Sequence, residues 1–191
     1  DPQGPRPSVL IKEYVENQMP DEAERTFIVQ IRDDSVSSQT SEVMATIAQS
    51  YMLQNDFANA RRVFLEVVKR DASDAKSRNS LAALLLKEGN AAEAKRLWRE
   101  ACELEENFSS PRFNLGKQLM KEQKTAEAMA LFLQYWALEP DDPDAHNYLS
   151  MGYLRSRQFA KAELHLKQLI ELRPSDGNAY ANLARVYLTL G

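Results

Sequence analysis

Reading every thirty-fourth residue from Ala60 returns Ala94, Ala128 and Ala162, and from Phe64 it returns Trp98, Phe132 and Leu166. A constant period of this size is the signature of stacked supersecondary units rather than of one globular core. More columns keep the same register. Ile47, Leu81, Leu115, Leu149 and Leu183 form one, and Tyr51, Leu85, Leu119, Tyr153 and Tyr187 another. A third is small throughout: Ala48, Ala82, Gly116, Ser150 and Ala184. No insertion interrupts the period from Ser41 onward.

Within a unit the apolar residues fall at helical spacing. Ala145, Leu149, Tyr153 and Leu154 mark one amphipathic stretch. After Ser156-Arg157-Gln158 a second begins, with Phe159, Ala162, Leu166, Leu169 and Ile170 on one face. Each unit is therefore a helix, a tight turn and a helix. Asp142-Pro143 reads as an N-cap followed by the first helical residue, because the carboxylate accepts from free backbone N–H groups and proline has none to leave unpaired. Ser110-Pro111 reads as the same signal one unit earlier, Asp74 and Asp176 read as further caps, and Pro140 and Pro174 end the helices before them. The small columns let paired helices approach closely, and Phe64, Trp98 and Phe132 fill the groove toward the next unit.

This pattern of small, aromatic and proline positions resembles the tetratricopeptide repeat. The resemblance runs from Ser41 to Gly191, as repeats 41–74, 75–108, 109–142 and 143–176 plus a half repeat 177–191. It departs from the family at the early-helix aromatic, replaced here by Met44, Arg78, Arg112 and His146. The small residue late in the second helix is kept as Val67 and Ala101 but becomes Tyr135 and Leu169. The implied fold is all-α, a right-handed α-solenoid of stacked helix–turn–helix repeats. Upstream, Ser8–Asn17 and Asp21–Ile31 read as two more helices, with Ala23 and Phe27 echoing Ala60 and Phe64. Ala23 lies 37 residues before Ala60, so an extra loop is expected within Asp33–Thr40. Residues 8–40 are thus expected to be a degenerate N-terminal capping repeat plus that loop, behind an extended proline-containing tail at 1–7. The chain starts at Asp1 without a methionine, as an excised domain or a processed product would, and the uncovered face of its last helix is expected either to continue into further chain or to be covered by another molecule.

The family's inner face is lined by the first helices. Carried over by position, the resemblance implies Lys76, Asn79, Lys87, Phe113, Asn114, Lys117, Lys121, Asn147, Tyr148, Met151, Arg155, Asn178, Asn182 and Arg185 as partner-binding residues. Met120 joins them as an apolar contact. The full inner set holds six cations against Glu42 and Asp144, on a chain whose formal charge is −4. Asparagine both donates and accepts, so it can hold a peptide backbone of any sequence. The expected ligand is an extended or helical protein segment bearing acidic groups. The carboxylate clamp of chaperone-binding relatives is absent, since its positions read Ala45, Gln49, Ser80, Ser110 and Asn114, or one repeat later Asn79, Ala83, Asn114, Asp144 and Tyr148.

Other classes find little support. The acidic balance argues against a nucleic-acid partner. The longest apolar run, Leu81–Leu86, is too short to cross a bilayer, so no membrane insertion is expected. Cys102 is the one cysteine and reads as a packing residue. His146 and His165 lie on different helices, the second expected on the outer surface, and no metal, cofactor or catalytic set is expected. The function expected is therefore a non-enzymatic scaffold or adaptor, soluble and more suited to the cytoplasm than the periplasm. The alternative is a structural protein that self-associates through the Leu183, Ala184 and Tyr187 face.

Overall fold

The computed structural model describes residues 7–33 and 38–190, which form helices joined by short connections, with no strand among them. The order is α1 (Pro7–Glu16), α2 (Pro20–Asp33), α3 (Ser38–Leu53), α4 (Phe57–Arg70), α5 (Ala75–Lys87), α6 (Ala91–Leu104), α7 (Ser109–Lys121), α8 (Thr125–Leu138), α9 (Pro143–Arg155), α10 (Phe159–Leu172) and α11 (Gly177–Leu190). This is an all-α repeat solenoid fold. The chain forms two compact units, Asp1–Leu97 and Trp98–Gly191.

Each helix pair is closed by three residues whose middle member takes a left-handed conformation. Gln18 (φ 56°), Asn55 (61°), Gly89 (90°), Gln123 (63°) and Arg157 (57°) hold this position in turn. The left-handed residue lets the chain reverse while the following N–H groups return to the last carbonyls of the first helix. Lys124 N–H to Leu119 O (2.9 Å) and Gln158 N–H to Tyr153 O (2.9 Å) are such bonds. The turn between α1 and α2 has the same form, with Met19 N–H on Tyr14 O at 2.7 Å.

Of the loop expected within Asp33–Thr40, residues 34–37 lie outside the described residues, while Asp33 closes α2 and Ser38–Thr40 are already helical. The tail expected at 1–7 lies outside them as well, except for Pro7, which opens α1. Helix α3 has 16 residues where α5, α7 and α9 have 13, which matches the excess of the 37-residue spacing between Ala23 and Ala60 over the period.

The cores follow the columns. In the first unit Ala48, Ala60, Phe64 and Val67 are fully buried, with Ile47, Tyr51 and Leu81 nearly so. In the second, Ala128, Phe132, Ala145, Leu149, Ala162 and Leu166 are fully buried. Truncating Phe132 to alanine is expected to cost about 3–5 kcal/mol through lost transfer energy and the cavity left behind. Gly116 allows a close approach of α7 and α8, for a Cβ there would stand 2.9 Å from Phe132 Cε1.

The caps are as read at three positions and not at the fourth. Asp74 accepts from Ser77 N–H (2.9 Å), Asp142 from Asp144 N–H (2.8 Å) and Asp176 from Asn178 N–H (3.0 Å). Ser110 is not a cap. Helix α7 already begins at Ser109, behind Phe108, which has no side-chain acceptor to offer. Pro111 sits inside the first turn, where its missing N–H is still one of the orphans.

Candidate functional site

In the second unit the inner-face positions of α7 and α9 build a half-buried aromatic step. The Phe113 ring stands 5.5 Å from Tyr148 at a T-shaped angle and 4.8 Å from Tyr135. Tyr148 in turn stacks on the fully buried Phe132 at 4.7 Å. The step is thus anchored in the core and presents only its outer edge. Burial, helped by the negative charge of Asp144, pushes the Tyr148 phenol upward, so it stays a neutral hydroxyl at physiological pH.

Three cations lie on the same two helices. The Lys117 ammonium lies 5.0 Å from the Phe113 ring centre, within reach of a cation–π attraction, and Lys121 follows one turn later, exposed. Arg155 Nη1 donates to the Met120 carbonyl across 3.4 Å, a cation near the negative end of α7. Asp144, one of the two acidic residues counted on the inner face, is engaged by Arg173 Nη1 at 2.7 Å, which offsets its charge. Met120 itself is buried, only 5% exposed, and so offers a partner little surface on that face. Met151 and Asn147 are half-buried, and the Asn147 carbonyl accepts from Ser150 Oγ at 2.8 Å. On α11, Asn178 is exposed and Asn182 Oδ1 accepts from Arg185 Nη2 at 3.2 Å.

The first unit holds the other expected residues. Lys76 is exposed and Asn79 half-buried. The Lys87 ammonium sits 3.4 Å over the Phe57 ring, so this cation is held by the preceding repeat. A recess of about 350 Å³ between α1 and α3 is lined by Ile11, Val15, Val43 and Thr46, with Lys12, Glu16 and Glu42 around it. The inner-face reading began at Ser41 and so missed Ile11 and Val15. Their signal was the apolar spacing Ile11, Tyr14, Val15 within α1.

Residues 46–104 and 149–191, more than half of the chain, match the family model described as tetratricopeptide repeat. The chain is a tetratricopeptide repeat protein. Solved structures agree in fold. A tetratricopeptide repeat protein from Parabacteroides merdae superposes with a TM-score of 0.75 at 13% identity, covering 97% of this chain and 72% of that one. MamA from Desulfovibrio magneticus RS-1 gives 0.70 at 17%, over 90% and 95%. YrrB, described as a tetratricopeptide repeat protein with an unusual peptide-binding site, gives 0.70 at 19%, over 90% and 87%. No curated protein matches this chain.

This tetratricopeptide repeat chain resolves its family departures in one consistent way. Arg78, Arg112 and His146, which replace the early aromatic, are all buried, and each turns back to a carbonyl in the connection before its own helix. Arg78 Nη1 donates to Asp74 O (3.1 Å), Arg112 Nη1 to Phe108 O (2.9 Å) and His146 Nε2 to Pro140 O (3.0 Å). Tyr135 keeps the late second-helix position closed by donating its hydroxyl to Asp142 Oδ2, while Asp142 Oδ1 caps α9.

His165 contradicts the surface position expected for it. It is buried, its ring 5.6 Å from Trp136 and 5.5 Å from Tyr153, and its Nδ1 lies 3.0 Å from Nδ1 of His146. A carbonyl only accepts, so His146 carries its proton on Nε2 and its Nδ1 is the acceptor; His165 is then the Nδ1 donor. Among the described residues, no group of three or more His, Cys, Asp or Glu is placed to hold a metal, and no helix is long and apolar enough to cross a membrane.

Proposed function

We propose that this chain is a protein–protein interaction scaffold that docks an acidic segment of a partner along the inner faces of its first helices, as an adaptor or assembly factor. One observation carries the reading: in the second unit Lys117 lies over the Phe113–Tyr148 step, Lys121 and Arg155 lie at the C-terminal end of α7 beyond it, and the carboxylate of Asp144 is already paired with Arg173. Such a surface offers apolar contact at the step and positive charge beside it, the complement of an acidic segment with an apolar anchor. The peptide-binding site described for YrrB, which shares the fold, supports the same use. We read repeats 41–74, 75–108, 109–142 and 143–176 with half repeat 177–191 as the binding array, and α1–α2 as its N-terminal cap. A cytoplasmic setting would keep Cys102 reduced.

The test is a Lys117→Glu, Lys121→Glu, Arg155→Glu triple variant, titrated with acidic peptides carrying one aromatic or leucine anchor. A loss of affinity of tenfold or more at unchanged helicity supports the reading, and unchanged affinity overturns it. Self-association is the second reading, favoured by α11, where Leu188 is 87% exposed and Tyr180 and Tyr187 nearly half exposed. Leu183 is half-buried and Ala184 exposed beside them, and the Tyr187 hydroxyl donates to Glu163 at 3.3 Å. A mass by light scattering that stays monomeric at high concentration, or a dimer that survives Leu188→Ser with Tyr187→Ser, removes this second reading.

A further inference from the structure

The first unit carries a second surface, on the opposite side of α3 from its inner-face positions. A cleft of about 720 Å³ lies between the second helices α2 and α4. Phe27, Met44, Ile47 and Val63 form its floor, Glu24 and Ile28 its α2 wall, and α4 supplies the other wall from Ala58 to Arg70. None of the inner-face positions of α3 lines it. Its volume is that of an ordinary ligand-binding cleft, and its floor is apolar.

The α4 wall has a distinctive order. Leu65, 39% exposed, sits between Arg61 one turn before and Lys69 one turn after, three residues on one ridge of the helix. The corresponding triplets are Lys95, Arg99 and Glu103 on α6, Met129, Leu133 and Ala137 on α8, and Glu163, Lys167 and Glu171 on α10. None of these sets an apolar residue between two cations. Across the cleft Ile28 is 43% exposed, so apolar side chains face the opening from both walls. The lining holds Arg61, Arg62, Lys69 and Arg70 against Glu24 and Glu66, a positive excess on a chain of net charge −4. Glu24 is spent on Arg62 (2.8 and 2.7 Å) and Glu66 on Arg70 (2.7 Å), which leaves the Arg61–Lys69 ridge as the source of that excess. Arg61 also reaches Glu88 at 3.3 Å, a half-exposed pair that an incoming carboxylate can compete with.

We propose that this outer cleft docks an amphipathic helix of a partner protein, with an apolar anchor against Leu65 and Ile28 and acidic residues one turn to either side. Charge complementarity selects this occupant: an acidic residue, three others, an apolar residue, three others and an acidic residue places both carboxylates on the Arg61–Lys69 ridge. The wall from Ala58 to Arg70 spans about 18 Å, so about three turns of helix fit along it. This is the helix-in-groove mode of recognition, read by anchors at helical spacing. It is independent of the inner-face reading and uses none of its residues.

The experiment selects binders to the full chain from a display library of random 16-residue peptides, then measures each synthetic peptide by fluorescence anisotropy. Binders are remeasured on Arg61→Gln with Lys69→Gln, on Leu65→Ser, and on the inner-face triple variant. The expected result is a class of helical peptides with the acidic–apolar–acidic spacing, weakened tenfold or more by the first two changes and within twofold on the third. Leu65 is partly exposed and Lys69 lies on the surface, so thermal melts of these variants serve as the folding control. If no selected peptide loses binding on Arg61→Gln with Lys69→Gln, the proposal is overturned. It is equally overturned if the same residues instead govern dimerisation of the free chain, or binding to vesicles of anionic phospholipid, with no peptide of this class selected.

Discussion

His165 donates its Nδ1 proton to Nδ1 of His146 across 3.0 Å, in a buried pocket walled by Trp136 and Tyr153. Burial, joined by the charge His146 can carry, pushes the His165 imidazolium from 6.5 down to about 4. Between those values the unfolded chain binds a proton that the folded chain refuses, so stability falls as pH falls from about 6.5 to about 4. The expected loss is about 1–3 kcal/mol. Thermal melts from pH 7.5 to 4.5 check it. His165→Leu, which restores the apolar residue found at this column in the other repeats, is expected to flatten that slope.

Gly116 and Phe132 meet at a close helix contact in the second unit, where an added Cβ would come within 2.9 Å of the ring. The ring is held by its neighbours, with Tyr148 stacked on it at 4.7 Å and Phe113 edge-on at 6.1 Å. Gly116→Ala gains helix propensity but overpacks the ring, for a net loss of about 1–2 kcal/mol. Chemical denaturation measures it. Because the displaced ring supports Tyr148, near-ultraviolet circular dichroism of the aromatic cluster is expected to change as well.

The helices and their pairing were legible because a thirty-four-residue period is written in large and small side chains that packing enforces. What was not legible failed for physical reasons. Ser38-Gln39-Thr40 carries no apolar pattern, so nothing in it distinguished helix from loop. Ser110-Pro111 imitates Asp142-Pro143 but lies two residues out of register with it, and register decides where a helix starts. His165 was misplaced by its polarity, although its column (Val63, Leu97 and Leu131) is apolar and pointed to the core. On the inner face, Phe113, Lys117 and Tyr148 do come together, while Met120 sinks into the core and Lys87 turns to Phe57. Residue type at a repeat position marks the side of a helix, not the depth of the side chain.

The left-handed turn residues give a direct stability prediction. Gly89 adopts φ 90° with nothing within 4 Å of where a Cβ would stand, so Gly89→Ala tests backbone strain alone. It is expected to lower stability by about 1 kcal/mol. The converse changes, Gln123→Gly and Arg157→Gly, relieve the same strain at φ 63° and 57°. Each is expected to add about 0.5–1 kcal/mol after the entropy of the freer unfolded chain is subtracted, and calorimetric melts of the double variant should show the two effects adding.

The Tyr51 hydroxyl ties the N-terminal helix pair to the repeat that follows. It lies 2.7 Å from Asp21 Oδ1 and 2.8 Å from Glu24 Oε2, while Arg62 clamps Glu24 with two bonds. The Arg62 bond, opposed by burial and reinforced by Tyr51, holds the Glu24 carboxyl below its usual range. A carboxylate so depressed contributes stability above its unfolded pKa and loses it as acid protonates the folded form. Tyr51→Phe removes one hydroxyl without changing the ring, taking from Asp21 and Glu24 the one proton they share, for an expected loss of about 1–2 kcal/mol. Because the tie joins α2 to α3 and α4, amide exchange in Pro20–Ile28 is expected to speed up more than exchange in α9 or α10. Uniform acceleration across the chain would show instead that the hydroxyl supports global stability and no local junction.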